Sequence, residues 1–191
     1  YLKVTDGGFN YKDYSSQSQR AALYIGQDDA PAKVSKLFTA APTGISWADA
    51  GFVQPFLNRL NTTLTFGATE YVGRRYSERS TNTGAGGRTS TNVILSTTRG
   101  ELVIAPASGK IDLAEDLGGD YGYTLVIDHG AGVRTIFYGL SDVDIKAGQQ
   151  VKQGQTLATC GKTTVVEMRI GTVPIDPIAV WRGQCNGLKY Y

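Results

Sequence analysis

The sequence predicts a mostly β fold, an antiparallel sandwich or barrel, in a chain of 191 residues. Two observations predict it. The chain contains 24 glycines, more than the usual share of about 7%, and it is rich in the Tyr, Val, Ile and Thr residues that favour strands. From residue 91 onward, short apolar segments alternate with Gly-rich turns, which is typical of antiparallel strands joined by tight turns.

For the N-terminal region, residues 1–79, the sequence predicts a mixed α/β extension but does not define its fold. Segment 31–40 predicts a short helix that begins at its proline. Segment 46–60 has apolar residues near helical spacing and predicts a helix that is broken or kinked at Pro55. Segment 62–73 alternates and is β-branched, so it predicts a strand or one arm of a hairpin.

A polar stretch separates this region from the rest of the chain. Residues 80–90, STNTGAGGRTS, contain one apolar side chain among Gly, Ser, Thr, Asn and Arg. Such a composition is typical of a flexible loop or linker. The sequence therefore predicts a boundary here, followed by a β domain over residues 91–191.

Charge and hydropathy exclude two classes of function. The formal net charge is +2, from 19 basic and 17 acidic residues spread along the chain, so no basic field favours nucleic acid. No apolar run reaches the roughly 20 residues that a membrane span needs, and no charged-then-apolar leader opens the chain. We expect a soluble chain, from which an anchor or signal peptide could have been removed.

The two cysteines, Cys160 and Cys185, lie on either side of an expected hairpin. We predict a disulfide between them, which would indicate an oxidising compartment and would stabilise the fold by about 3 to 4 kcal/mol. Two buried thiols are the alternative. Metal binding by this pair is disfavoured because two thiolates make only half of a zinc site.

Four segments of the C-terminal half together resemble a known family. GELVIAPASGKI is a strand, a turn and a strand, and YGYTLVIDHGAGVRTIFYGLS is a hairpin around an Asp-His-Gly turn. VDIKAGQQVKQGQTLATCG spaces Val and Gly regularly, and VVEMRIGTVPIDPIAVW is a closing strand with an Asp-Pro turn. In this order they resemble the lysostaphin/LytM family of zinc endopeptidases over about Asn92 to Trp181. The resemblance implies a barrel-sandwich hybrid of the LytM type for this part of the chain.

The resemblance also shows which functional residues are missing. In that family zinc is held by the His and Asp of a His-x-x-x-Asp motif and by the second His of a His-x-His motif. On this chain the first two ligands fall at Ser90 and Ile94, the His-x-His pair falls at Thr163 and Val165, and a further histidine falls at Gly139. A catalytic zinc needs three imidazole, thiolate or carboxylate ligands and an open position for water. The resemblance therefore implies a degenerate member with no catalytic residue, no metal and no cofactor, and with these five positions lining a vestigial binding groove.

His129 is the only histidine in the chain and lies in the expected turn of the central hairpin. A turn position is where the family uses this histidine structurally. We therefore predict that His129 orders its turn, with a ring nitrogen bonded to a local carbonyl or to a carboxylate such as Asp128.

The sequence gives only weak support to other kinds of functional site. Lys162 lacks the flanking residues of a carrier-domain lysine, and the GAGG at 84–87 lacks the Lys-Ser/Thr of a phosphate loop. The carboxylates of DLAEDLGGD, residues 112–120, read as a solvated loop rather than a glycosidase pair. A serine nucleophile would need a base, and His129 is the only histidine available.

The resemblance implies a non-catalytic binding or scaffold domain of the bacterial cell envelope, outside the cytoplasm in the periplasm or at the cell surface. Its expected partner is an envelope protein, either an amidase that it regulates or a subunit of an envelope-spanning machine. The apolar Ile94 and Val165 favour a protein over the charged stems of peptidoglycan. A peptidoglycan-binding module, a structural component of a secretion system or phage tail, and an enzyme with rebuilt chemistry remain alternatives. The N-terminal region either contacts the partner or packs over the groove and closes it.

Overall fold

The structure is a computed structural model of the chain, and it describes residues 30–47, 51–71, 87–119, 121–185 and 188. The described helices and strands are, in chain order, α1 (Ala32–Ser35), a 3-10 helix (Lys36–Thr39), β1 (Thr62–Leu64), β2 (Thr69–Tyr71), β3 (Gly87–Thr89), β4 (Val93–Ser96), β5 (Leu102–Ile104), β6 (Gly109–Asp116), β7 (Tyr123–Gly130), β8 (Val133–Val143), β9 (Gln150–Val151), β10 (Thr156–Ile170), β11 (Val173–Ile175) and α2 (Pro177–Trp181).

Nine of the described strands form one sheet around a long central strand. The main order is β1-β4-β10-β8-β7-β6-β9, with β5 and β11 also paired to β10, and β2 and β3 form a separate pair. The strand pairs are antiparallel. The predicted class, a mostly antiparallel β fold, is therefore confirmed.

One face of the sheet encloses the larger hydrophobic core, which we call the inner cluster. Val103 of β5, Ile111 of β6, Val151 of β9 and Leu157 of β10 all pack in it and are almost completely buried. Strands from distant positions in the sheet order thus meet around one core. The sheet curls on itself, as short strands with frequent glycine turns allow.

The opposite face is covered by the segment 30–47, which we call the cover segment. Ala30, Val34 and Phe38 of this segment pack with Ile94 and Val165 of the sheet in a second cluster, the groove-face cluster. The short helix predicted for residues 31–40 is confirmed as α1 and the 3-10 helix that follows it. Its two buried side chains are Val34 and Phe38, four positions apart and on one helix face.

The predicted boundary falls partly outside the described residues. Of the predicted linker 80–90, residues 80–86 are not described, while Gly87–Thr89 form β3. The described residues of 30–71 share hydrophobic clusters with the C-terminal strands. The domain limits 1–79 and 91–191 stay a prediction.

The helix predicted for residues 46–60 is wrong for the described residues of that segment. Residues 46–47 and 51–60 are not helical, and Phe56 instead forms an isolated β-bridge with Val103. The apolar side chains that suggested a helix are used separately: Phe56 packs in the inner cluster, whereas Trp47 and Phe52 pack in a third cluster at one end of the sheet, the end cluster. Tertiary burial of these side chains in separate clusters therefore outweighs their helical spacing.

The closing strand predicted for VVEMRIGTVPIDPIAVW is wrong in its last residues, after the Asp-Pro turn. β11 ends at Ile175, and α2 begins at Pro177. The Asp176 side chain accepts a hydrogen bond from the Ile178 amide at 2.9 Å, and proline occupies the first turn. An Asp cap followed by proline is a helix start signal that outweighs the apolar pattern.

The predicted disulfide is also wrong in this structure. Cys160 and Cys185 are both buried thiols. Cys160 packs in the inner cluster and Cys185 in the end cluster, so their side chains belong to different parts of the core. Burial raises the pKa of Cys160 to about 11, which keeps this thiol protonated and unreactive at neutral pH. The disulfide argument for an oxidising compartment no longer applies.

No helix among the described residues combines the length and apolar character that a bilayer crossing requires.

Candidate functional site

The structure brings together four of the five predicted groove residues. Ile94 of β4 and Val165 of β10 are direct Cα partners in the sheet, and Thr163 lies two residues before Val165. Gly139 of β8 approaches Thr163 so closely that a Cβ added at Gly139 would lie 2.4 Å from the Thr163 carbonyl oxygen. These four residues, chosen by aligning the family motifs with the sequence, therefore form one contiguous patch on β4, β10 and β8.

The fifth predicted residue, Ser90, makes its described hydrogen bonds to residues outside this patch. Its hydroxyl donates to the Asn92 carbonyl at 2.9 Å, and its amide donates to the Ala68 carbonyl at 2.7 Å. Its carbonyl accepts from the Gly67 amide at 2.9 Å. Ser90 is fully buried, and these bonds tie it to the turn between β1 and β2.

The patch does not fit a catalytic zinc ion. Ile94, Val165 and Gly139 have no side-chain donor atom, and a neutral hydroxyl such as that of Thr163 is not among the usual zinc ligands. Within the described ranges, no group of three or more His, Cys, Asp or Glu side chains could hold a metal ion. No step of a zinc-dependent reaction can be assigned to these residues.

The cover segment occupies the groove face. Val34 and Phe38 pack in one cluster with Ile94, Val165 and Tyr138. Ile94 is 4% exposed and Val165 is 2% exposed, whereas Gly139 and Thr163 are partly exposed. The question that the sequence left open therefore has an answer in this structure: part of the N-terminal region packs over the groove.

Backbone hydrogen bonds fix the far end of the cover segment to the β7–β8 turn. The Ser46 amide donates to the His129 carbonyl at 2.8 Å, and the Ala131 amide donates to the Thr43 carbonyl at 2.8 Å. At Gly130, which has φ 92°, an added Cβ would lie 1.9 Å from the Gly44 carbonyl oxygen. Only glycine allows the chain to pass this close.

Side-chain contacts support the same attachment. The Thr43 hydroxyl donates to the Asp128 carboxylate at 2.9 Å, and Lys33 forms an ion pair with Glu115 at the other end. The Lys33 pair is exposed and contributes little, since exposed pairs are typically worth about 0 to 1 kcal/mol. The apolar contacts and the backbone bonds therefore carry most of the attachment.

A buried ion pair lies under the cover segment. Arg169 and Glu167 of β10 are both fully buried and their side chains form a charge-assisted hydrogen bond. The Arg169 guanidinium also donates to the Thr172 carbonyl at 2.8 Å, and its central carbon lies 4.2 Å from the centroid of the Phe38 ring. Phe38 thus closes the side of the guanidinium that solvent would otherwise reach.

A second buried arginine lies next to Arg169 on the neighbouring strand. Arg134 of β8 is its Cα partner and is 2% exposed. Its Nε donates to the Asp112 carboxylate at 3.2 Å, and a terminal nitrogen lies 3.8 Å from the Asp128 carboxylate. Sequence reasoning missed this charged layer, because nothing in the chain signals that an arginine on a strand is buried and neutralised by residues of other strands.

His129 is a structural residue at the end of β7. One ring nitrogen, Nδ1, lies 2.9 Å from the Ser108 carbonyl oxygen, and Nε2 lies 2.9 Å from the Thr135 hydroxyl. A carbonyl only accepts, so Nδ1 carries the proton and Nε2 accepts from Thr135. The predicted bond to a carbonyl is confirmed, although the carbonyl belongs to Ser108. Asp128 instead accepts from the Gly130 amide and Thr43.

His129 makes stability depend on pH. Burial lowers its pKa from 6.5 to about 4, against the smaller opposing effects of the Ser108 carbonyl and the Asp128 charge. The unfolded chain therefore binds a proton between about pH 6.5 and about pH 4 that the folded chain does not. We expect the free energy of unfolding to decrease as the pH is lowered from about 6.5 to about 4. The total decrease is up to about 3 kcal/mol, at 1.36 kcal/mol per pKa unit.

Urea unfolding of the wild type and of His129→Gln, at several values between about pH 7 and about pH 4, measures this dependence. The variant should show a flatter dependence than the wild type. Parallel curves for the two proteins would contradict the assignment.

The close approach at Gly139 gives a second expected effect. Gly139 and Gly154 have similar backbone angles, φ 74° and φ 79°, but a Cβ at Gly154 would meet nothing within 4 Å. Both Gly→Ala changes carry left-handed strain, and only Gly139→Ala also strikes the Thr163 carbonyl. We expect Gly139→Ala to cost about 2 kcal/mol more than Gly154→Ala in denaturant unfolding. Equal costs would show that β8 and β10 are further apart than described.

Comparisons with known proteins identify the class of the domain. Residues 88–177 match the family model described as Peptidase family M23. Residues 88–177 thus resemble an M23 domain of the LytM type, and the resemblance deduced from the sequence motifs is confirmed for this part of the chain. M23 is a family of peptidases, and the groove residues of this chain depart from its zinc-binding pattern.

The more similar proteins include one curated relative, which is named an uncharacterized metalloprotease of Haemophilus influenzae. It is 32% identical over 95 residues, which are 46% of this chain and 20% of that protein. The matched part of the chain therefore spans about a fifth of the length of this curated relative.

Two solved structures share the fold. A zinc-containing peptidase from Vibrio cholerae is 22% identical with a TM-score of 0.54, over 66% of this chain and 39% of that one. Lysostaphin is 19% identical with a TM-score of 0.57, over 72% of this chain and 56% of that one.

A third solved structure, a chain of the SpoIIQ–SpoIIIAH pore-forming complex, is 19% identical with a TM-score of 0.54, over 68% of this chain and 90% of that one. At these identities the solved structures establish the fold alone.

Proposed function

We propose that this chain is a non-catalytic LytM-type domain that acts in the bacterial cell envelope, outside the cytoplasm, by binding a protein partner. The partner is an envelope hydrolase or a subunit of an envelope-spanning assembly. The domain contributes a rigid β scaffold, and its surface rather than its groove makes the contact.

One observation carries the proposal: the groove face has lost its donor atoms and is buried under the cover segment. Ile94 and Val165 occupy positions where the family has zinc ligands. They are paired across β4 and β10, and both side chains are almost completely buried. A zinc peptidase needs ligands, an open coordination position and room for its substrate. None of these three requirements is met at this face.

The shared fold supports a role in protein binding. A chain with this fold occurs in the SpoIIQ–SpoIIIAH complex, where it is assembled with another protein. Fold alone does not define function, and the groove chemistry is therefore the stronger support for a non-catalytic role. The location outside the cytoplasm likewise follows from the resemblance to an envelope-acting family.

The covered groove supports a protein partner over peptidoglycan. Peptidoglycan would have to enter the groove face, which the cover segment fills. A protein partner can use other surfaces, where the structure leaves Leu57, Leu102 and Tyr123 exposed at 69%, 43% and 37%. Aromatic and aliphatic side chains of this kind are suited to protein interfaces.

A hydrolysis and co-sedimentation experiment tests the non-catalytic part. The protein is incubated with purified sacculi with and without excess Zn²⁺, beside an active M23 peptidase as the positive control. We expect no release of soluble fragments and no co-sedimentation of the protein. Zinc-dependent release would contradict the proposal, and co-sedimentation without release would favour the peptidoglycan-binding alternative.

Site-specific cross-linking tests the partner. A photoreactive amino acid is placed at Leu57, Leu102 or Tyr123 in cells, with the exposed Lys152 as the matched control position. We expect an adduct with one envelope protein from at least one of the three apolar positions and none from the control. Adducts from no position, or equal adducts from all four, would contradict a specific protein partner.

A further inference from the structure

A cavity of about 300 Å³ lies away from the groove face, between the chain before β1 and the helix α2. One wall is apolar and consists of Leu60, Ile178 and Trp181. These side chains pack against the inner cluster, not against the groove-face cluster. The cavity is therefore separate from the site described above, and nothing in the proposed function uses it.

Two arginines line the cavity. Arg59 and Arg182 are both exposed. Among the described residues, neither guanidinium makes a hydrogen bond or an ion pair. Asp176 is attracted by Arg182, but its carboxylate caps α2 through the Ile178 amide. The cavity thus presents two cationic groups that make no direct ion pair with another side chain among the described residues.

The third notable side chain of the lining is the indole of Trp181. Its Nε1 is buried and has no hydrogen-bond partner among the described residues. The ring itself is held by an edge contact with Phe56, with centroids 6.2 Å apart. The ring therefore contributes apolar surface to the cavity, and its buried N–H does not open onto it.

The loop that carries Arg59 is held in place by hydrogen bonds. The Gln54 side-chain amide, which also lines the cavity, donates to the Phe56 carbonyl at 2.8 Å and to the Asn58 carbonyl at 3.0 Å. These bonds hold the backbone of residues 54–58 together next to Arg59. The Phe56 ring in turn contacts Trp181 of α2.

We propose that this cavity binds a carboxylate that carries a short aliphatic group. Guanidinium groups pair with carboxylates through two parallel hydrogen bonds, the lining contains no carboxylate to compete, and the Leu60–Ile178–Trp181 wall receives the aliphatic group. The volume is at the lower end of the range for small-molecule sites, so it fits about one residue. The ligand is a free acylated amino acid or the C-terminal residue of a peptide.

Nuclear magnetic resonance of the Trp181 indole N–H tests the proposal. The chain has two tryptophans, and Trp181→Phe identifies the signal. N-acetyl-leucine is titrated to about 10 mM, with N-acetyl-leucinamide as the matched probe without charge; affinities of order 1 mM correspond to about 4 kcal/mol. We expect a saturable shift with the acid only. Absence of a shift, or an equal shift with the amide, would overturn the proposal.

Variants locate the binding in this cavity. The double variant Arg59→Gln/Arg182→Gln should weaken binding about tenfold or more, since hydrogen bonds to charged groups are the stronger ones. Arg99→Gln, at an exposed turn outside the cavity, should leave the affinity unchanged. Equal affinity in all three proteins would overturn the proposal.

Peptides distinguish the two sources of the carboxylate. A peptide that ends in leucine with a free carboxylate is compared with N-acetyl-leucine and with the same peptide as an amide. Tighter binding of the acid peptide than of N-acetyl-leucine assigns the site to a chain terminus, and equal binding assigns it to a small carboxylate.

Discussion

Replacing Arg169 with methionine is expected to lower the free energy of unfolding by about 3 to 5 kcal/mol. The change removes one member of the buried ion pair with Glu167, and it removes the cation that lies over the Phe38 ring. Removing one member of such a pair is costly because the remaining charge stays desolvated and loses the attraction of the opposite charge. Denaturant unfolding measures the loss.

A second variant separates the lost ion pair from the lost packing. If Glu167 is changed to Gln together with Arg169→Met, both charges of the pair are removed. The double variant should be less destabilised than the sum of the two single changes, which is the signature of a direct interaction. A loss below about 1 kcal/mol in Arg169→Met, or strict additivity, would contradict a buried pair at this place.

Replacing Phe38 with alanine is expected to lower the free energy of unfolding by about 3 to 5 kcal/mol. Phe38 is 2% exposed and lies in the groove-face cluster with Ile94 and Val165. Its removal leaves a cavity over the sheet and exposes Arg169 to solvent. The variant tests whether the cover segment is an integral part of the fold.

Ile45→Ala is the matched control for this prediction. Ile45 belongs to the same segment but is 48% exposed, so its truncation should change stability by no more than about 0.5 kcal/mol. Similar small losses in both variants would mean that the cover segment does not pack on the groove face. The groove would then be open, and the argument against peptidoglycan binding would fail.

The sequence predicted the sheet well because strand signals are local. Alternation, β-branched residues and glycine turns mark β6, β7 and β8 directly. One motif segment ends at Gly161 and the next begins at Val165, whereas the structure has one strand of 15 residues through both, β10. Gly161 does not end the strand, because it permits the approach of the Gly139 carbonyl, which would lie 2.4 Å from a Cβ at that position.

The contact of the cover segment could not be predicted from the sequence. The spacing of Val34 and Phe38 indicates one apolar helix face, but it does not say which surface that face meets. Its partners Ile94 and Val165 are distant in sequence. Long-range packing of this kind also explains why Phe56 is a bridge residue rather than part of the predicted helix.

The candidate site was predicted where a motif could be aligned. Ile94, Thr163, Val165 and Gly139 were placed by their order in the family pattern and lie together in the structure. The cavity beside Trp181 was not foreseen, because Arg59 and Arg182 are far apart in the chain and neither belongs to a motif. A single sequence does not show that two such arginines converge.

The zinc content of the purified protein tests the central claim most directly. After equilibration with excess Zn²⁺ and removal of unbound metal, elemental analysis gives the number of zinc ions per chain, with an active M23 peptidase treated in parallel. We predict far less than one zinc per chain, because the groove positions lack the three protein ligands that a catalytic site requires. About one tightly held zinc per chain would contradict the claim that this domain binds without cutting.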